Sequence, residues 1–172
     1  MVLGMAALAL ASSGAVATAA KPPTTWDNLV QVPSKRFKLV YLAPGADFRA
    51  YNKVMLDPTE VAFHKDYVRD QNTSRRGLSN RISDSDVQKA VEQGKTAAND
   101  IFAKAFTDGG YTVVQAPGPD VLRVRTGLLN ISVTAPDVMT AGRSRTFANE
   151  AGQATLVVEV RDSITGELLG RA

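Results

Sequence analysis

One stretch limits what this chain can fold into more than any other. Val87, Val91, Ala98, Ile101, Phe102, Ala105 and Phe106 recur at helical spacing, which predicts an amphipathic helix over about 85–108. Ser83 or Ser85 can cap its start, Ser85-x-x-Gln88 forms a capping box, and Asp84 and Asp86 suit the positive end of the helix. Gly109-Gly110 supplies the left-handed stop. A helix with one apolar stripe must lay that stripe on something, and the flanking segments alternate like strands. The expected class is therefore α+β, with a mainly antiparallel sheet of about five to six strands and this helix packed on one face.

The strands are short. Phe37–Leu42 ends at Pro44-Gly45, and Val54-Met55-Leu56 is interrupted by Asp57-Pro58 before Thr59–Phe63, since proline removes a ladder donor. Residues 65–82 are polar and aperiodic, so mostly loop is expected there. Tyr111–Val114 is a further strand, and Val121–Thr134 a long one whose apolar face changes phase, which a one-residue bulge at Gly127 would reconcile. Gln153–Arg161 alternates again, Asp162–Gly166 reads as a hairpin loop, and Glu167–Arg171 begins the return strand. Arg123, Arg125, Glu159 and Arg161 fall opposite the apolar stripe, as cross-strand ion pairs on a solvated face worth about 0.2–1 kcal/mol each.

Residues 1–20 contain 15 apolar residues and no charge, and end in small residues, so a cleavable secretory signal is expected. Residues 21–36, with three prolines, read as an extended leader, and 37–172 as a single α+β domain that continues past Ala172. The chain has no cysteine, which excludes a thiol nucleophile, a thiolate metal site and lipid attachment through a cysteine of this sequence. The expected location is the periplasm or the outer-membrane periphery.

Catalytic motifs are scarce. His64 is the single histidine, so a multi-histidine metal site is excluded and any Ser-His-Asp triad has to use it. Asp57, Glu60, His64 and Asp66 lie close in sequence and are the candidate set for a hydrolytic enzyme. Gly94-Lys95-Thr96 has the ending of a phosphate loop, but Lys89 stands where that loop needs glycine, and the run sits inside the helix. No cofactor is expected.

Charge is more informative. Residues 65–82 hold Lys65, Arg69, Arg75, Arg76 and Arg81 against Asp66 and Asp70, a local +3 equal to the formal net charge of the whole chain. The long connection 135–151 adds Arg143 and Arg145. Gathered at one end of the sheet, Arg69, Arg75, Arg76, Arg81, Arg143 and Arg145 would suit an envelope protein partner or an anionic envelope polymer. Nucleic acid is a poor partner for so small an excess on an exported chain. The leading expectation is a non-enzymatic binding or assembly module, with the hydrolytic enzyme and a structural homo-oligomer as alternatives.

Several phrases together carry a resemblance: Tyr41-Leu-Ala-Pro-Gly-Ala-Asp-Phe-Arg49, Tyr51-Asn-Lys-Val-Met-Leu-Asp-Pro-Thr-Glu-Val-Ala-Phe63, Arg81-Ile-Ser-Asp84, Gly118-Pro-Asp-Val-Leu-Arg-Val-Arg125, Ala141-Gly-Arg-Ser-Arg145 and Glu150-Ala-Gly-Gln-Ala-Thr-Leu-Val-Val-Glu-Val160. Across about residues 26–172 the chain resembles the bacterial family called domain of unknown function 3313, whose members are mostly exported and often described as lipoproteins. The resemblance implies an envelope location and one α+β domain. It defines no catalytic residue, and the absent cysteine keeps lipid anchoring from being carried over.

Overall fold

A computed structural model of the chain describes residues 22–74, 81–133 and 152–172. The expected signal over 1–20 lies outside them, as do Arg75, Arg76, Arg143 and Arg145.

The long helix forms as the periodicity requires. It is α2, Asp84–Asp108, and follows a shorter helix, α1, Tyr67–Ser74. The cap is Ser83, whose side chain accepts from the Asp86 backbone N–H while Asp86 accepts from the Ser83 N–H. The capping box is thus Ser83–Asp86, two residues before the expected Ser85–Gln88. Aspartate is short enough to reach back to the cap nitrogen, and its charge complements the helix end. Gly109 closes α2 and Gly110 takes the left-handed conformation at φ 90°.

Nine strands among the described residues form one mixed sheet. They are β1 Thr25–Trp26, β2 Leu29–Val32, β3 Val40–Leu42, β4 Lys53–Leu56, β5 Glu60–Phe63, β6 Thr112–Val113, β7 Val121–Val133, β8 Gly152–Asp162 and β9 Leu168–Arg171. The order is β1-β2-β3-β9-β8-β7-β4-β6, with β5 also on β7. The antiparallel expectation holds for β1-β2-β3-β9-β8-β7, but β4 pairs parallel with both β6 and β7, and β5 parallel with β7. The reason is α2. A 25-residue helix spans about 37 Å, enough to return the chain to the end of the sheet it left, as parallel neighbours require. The extra strands come mainly from the proline-containing leader, which folds into the β1–β2 hairpin, and from the split of one run into β4 and β5 at Pro58.

That split is well supported. Asp57 N–H still donates to Val124 O at 2.9 Å, and Thr59 N–H is taken by the Asn99 side chain of α2 at 2.8 Å. The Thr59 hydroxyl, buried, pairs with the buried Thr126 hydroxyl at 2.8 Å. The core beneath α2 consists of Val54, Leu122, Val124 and Leu169, with Phe106, Tyr111, Val113, Val158 and Val160 packed on it. Gly94 explains itself here: a Cβ on it would sit 3.3 Å from Val61 Cγ1, so the glycine lets α2 approach β5.

Three expectations need correction. Ile101 is 65% exposed and Ala105 is also exposed, because the contact line drifts toward Phe102, Ala103 and Phe106 as α2 crosses a twisted sheet. The β7 bulge is at Asn130, φ 53°, rather than Gly127. Both neighbours agree on this: Leu129 and Ser132 oppose Thr155 and Gln153 of β8, and Leu128 and Ile131 oppose Val61 and Phe63 of β5. Asparagine accepts the left-handed conformation at low cost, so the extra residue falls on it. Finally, 65–82 is not all loop, since α1 occupies Tyr67–Ser74 with the Tyr67 ring 4.6 Å from that of Phe63.

Candidate functional site

The sheet face turned away from α2 carries a row of charge built by strand register. Arg123 of β7 stands opposite Arg161 of β8, and Arg125 opposite Glu159. Like charges directly opposite repel, and each arginine turns to a different carboxylate. Arg123 Nε donates to both Asp57 oxygens at 3.0 Å, while Arg125 lies 3.7 Å from Asp57 and 3.3 Å from Glu60. Arg161 Nε donates to Glu159 at 2.7 Å, Arg171 Nε donates to the other Glu159 oxygen at 2.8 Å, and Arg171 reaches on to Asp27 in the β1–β2 turn. These side chains are therefore ion-paired, but not across β7–β8 as expected: the pairs run to the β4–β5 corner, along β8 and to β9.

Glu159 is the anchor of this row, with its side chain 15% exposed. Burial alone would raise its carboxyl pKa, but the Arg161 and Arg171 hydrogen bonds outweigh burial and hold it below the ordinary value. Burial likewise opposes the Arg171 charge, and Glu159 and Asp27 more than restore it.

The four candidate hydrolytic residues are not brought together. Asp57 and Glu60 lie at Arg125 on the sheet face. His64 lies four residues farther along an extended segment from Glu60, about 13 Å on. Its Nδ1 accepts from the Asp66 N–H at 3.3 Å and stands 3.9 Å from Asp70. Asp66 itself pairs with Arg69 at 3.2 Å. His64 does line a polar hollow of about 240 Å³ beside the Asn130 bulge, with Ser132, Gln153 and Thr155. Among the described residues no group of three or more His, Asp or Glu side chains is placed to hold a metal ion.

Of the six candidate arginines, two are described. Arg69 is on α1, paired with Asp66 and, at 3.5 Å, with Asp70. Arg81 is exposed just before the α2 cap. The Asn72 side chain ties these ends together, donating to Ile82 O at 2.8 Å and accepting from Ile82 N–H at 2.9 Å. Arg75, Arg76, Arg143 and Arg145 lie outside the described residues.

A second surface escaped the sequence reading. Trp26, Leu39, Tyr41, Leu156 and Val157 line an apolar hollow of about 230 Å³, with Lys38 at its wall. Trp26 sits 4.8 Å over the Arg171 guanidinium and edge-on to Tyr41. The signal was present in Lys35-Arg36-Phe37-Lys38, three cations around one aromatic, but it straddled the boundary drawn at residue 36 between leader and domain.

A family model with the description "Protein of unknown function (DUF3313)" matches residues 24–172, which includes every described strand and helix. No curated protein and no solved structure matches the chain.

Proposed function

From the premise that the chain belongs to this family of proteins of unknown function, we propose that it is an exported cell-envelope protein that acts as a non-enzymatic binding or assembly module. The export part of the reading rests on residues 1–20, uncharged and apolar, with small residues at their end. The periplasm or the outer-membrane periphery is the proposed location. No helix among the described residues is long and apolar enough to cross a membrane.

The observation that carries the binding reading is the state of the charged side chains. Asp57, Glu60 and Asp66, which a hydrolytic reading needs as acids or bases, are each engaged by an arginine. They serve to orient Arg123, Arg125 and Arg69, fixing guanidinium groups on a surface. Guanidinium held in place loses little freedom when a second carboxylate or phosphate arrives, so such a surface suits an acidic protein or an anionic polymer. In this reading Arg69 and Arg81, on two segments that Asn72 ties together through Ile82, flank Arg75 and Arg76 in sequence, and Arg143 and Arg145 add to the same recognition.

The test is affinity capture from envelope extracts with the wild-type chain and with R75E/R76E/R143E. Loss of the captured partner in the variant, with unchanged thermal stability, supports the reading. Equal capture by both chains overturns it.

A further inference from the structure

We infer that the surface running from Trp26 across the apolar hollow to Lys38 and Leu39, and on into the adjoining Lys35-Arg36-Phe37 segment, is a docking surface for an anionic phospholipid bilayer. This goes beyond the arginine-loop reading and stands or falls separately from it.

Two independent features coincide there. The first is charge. Most described cations are already paired: Arg49 with Asp47, Lys53 with Asp120, Lys95 with Glu92, Lys104 with Asp108, and the sheet-face arginines as above. Lys35, Arg36 and Lys38 are exposed, and none of them makes an ion pair with a described residue. The second is apolar surface. Trp26 is 49% exposed and Phe37 39%, and Trp26 opens onto the hollow lined by Leu39, Tyr41, Leu156 and Val157. Lys38 belongs to both features, since it forms part of the wall of that hollow.

The coincidence selects the partner. A soluble acidic polymer would satisfy the three cations and leave the indole and phenyl rings in water. A neutral apolar ligand would fill the hollow and leave the cations unused. A bilayer with anionic headgroups offers phosphate and hydrocarbon a few ångströms apart, and tryptophan beside lysine and arginine is the side-chain set that settles at that boundary. The hairpin that displays Trp26 is held rigidly enough to present it: Asp27 binds Arg171, and the Tyr41 hydroxyl donates to Pro23 O at 2.9 Å. Each basic residue near an anionic membrane contributes enough that removing three should weaken binding on the order of 100-fold.

Trp26 is the one tryptophan in the chain, so its fluorescence reports on this surface, and the neutral vesicles control for the apolar residues 1–20, whose insertion needs no anionic headgroup and no cation at 35–38. The full chain is titrated with phosphatidylcholine vesicles, with and without phosphatidylglycerol, and with soluble polyglutamate. The expected result is a blue shift of Trp26 emission with the anionic vesicles alone, weakened on the order of 100-fold in K35Q/R36Q/K38Q. The variant's own emission in buffer should match the wild type, showing that the hairpin is intact. Unchanged Trp26 emission with anionic vesicles, equal affinity of the variant, or an equal shift with polyglutamate would each overturn the inference, the last assigning the surface to an acidic polymer.

Discussion

Glu159 and Arg171 stand opposite each other on adjacent antiparallel strands and share a 2.8 Å hydrogen bond in which the Arg171 Nε donates to the carboxylate. Through the same arginine the bond extends to Asp27, so the last strand, the central strand and the first hairpin meet at one guanidinium. Both side chains are mostly buried, at 15% and 18% exposure, which distinguishes this pair from the solvated ion pairs on α2. A hydrogen bond to a charged, desolvated group is worth about 1.5–3 kcal/mol.

Glu159→Gln should therefore destabilise the fold by about 2 kcal/mol, read as a shift in the denaturation midpoint. The effect has a defined pH dependence. Folding lowers the Glu159 carboxyl below its ordinary 4.5 despite the opposing effect of burial, because Arg161 and Arg171 hydrogen-bond the charged form. Its stabilisation is complete above that value and is lost as pH falls through the folded one. The difference between wild type and Glu159→Gln should thus be constant near neutrality and shrink below about pH 4.5. A difference that grows with acid would contradict the assignment.

The hydroxyls of Thr59 and Thr126 pair with each other in a buried site. Thr126→Val keeps the shape and leaves the Thr59 hydroxyl without its partner, so a loss of about 1–3 kcal/mol is expected. The double variant T59V/T126V removes both polar groups and should recover part of that loss. A double-mutant cycle in chemical denaturation measures the coupling directly, and simple additivity of the two losses would show that the pair contributes nothing.

Gly94 is a contact glycine, in spite of the phosphate-loop look of Gly94-Lys95-Thr96. Gly94→Leu should push α2 from Val61 and cost about 1–3 kcal/mol in thermal or chemical denaturation, although leucine is the better helix former. Joint replacement with Val61→Ala should relieve part of the strain. Equal stability of Gly94→Leu and wild type would mean that α2 does not lie this close to β5.

Asp27 and Asn28 both hold positive φ, 49° and 65°, in the two-residue turn joining β1 to β2. That is the pattern of a type I′ hairpin, in which glycine suits the second position best. Asn28→Gly should leave the hairpin intact or stabilise it by a few tenths of a kcal/mol, and Asn28→Val should cost about 1–2 kcal/mol because a branched side chain clashes in that conformation. Hydrogen exchange at Leu29 and Gln31 is the local measurement, since the Gln31 N–H donates to Thr24 O at 2.9 Å. Faster exchange in Asn28→Val with the α2 amides unchanged is expected.

Much of the local structure was legible in the residues. Val87 to Phe106 announced α2 to within a residue or two, Gly109-Gly110 its end, and Asp57-Pro58 the break between β4 and β5. The Asp162–Gly166 hairpin followed from its turn residues, and Asp162 accepts from the Ile164 and Thr165 N–H groups as such a loop requires. The candidate site was less legible. Arg69 and Arg81 could be named from local charge, but the tie between their segments depends on Asn72 reaching ten residues ahead to Ile82. The row from Asp57 to Asp27 joins residues from four strands and two connections, and no window of sequence contains it.

The amino-acid sequence by itself determined the α+β class, the place and length of the long helix, most strand positions and, through its phrases, the family. These depend on side-chain periodicity and turn chemistry among residues close in the chain. Only the tertiary structure decided that β4 and β5 run parallel to β7, that the bulge falls on Asn130, and which carboxylate each arginine meets. Backbone hydrogen bonding is chemically the same for every strand, so pairing order and register are chosen by burial across the whole sheet. A one-residue change of register turns every side chain to the other face, and the charged row exists because that register puts Arg123, Arg125, Glu159, Arg161 and Arg171 on one side.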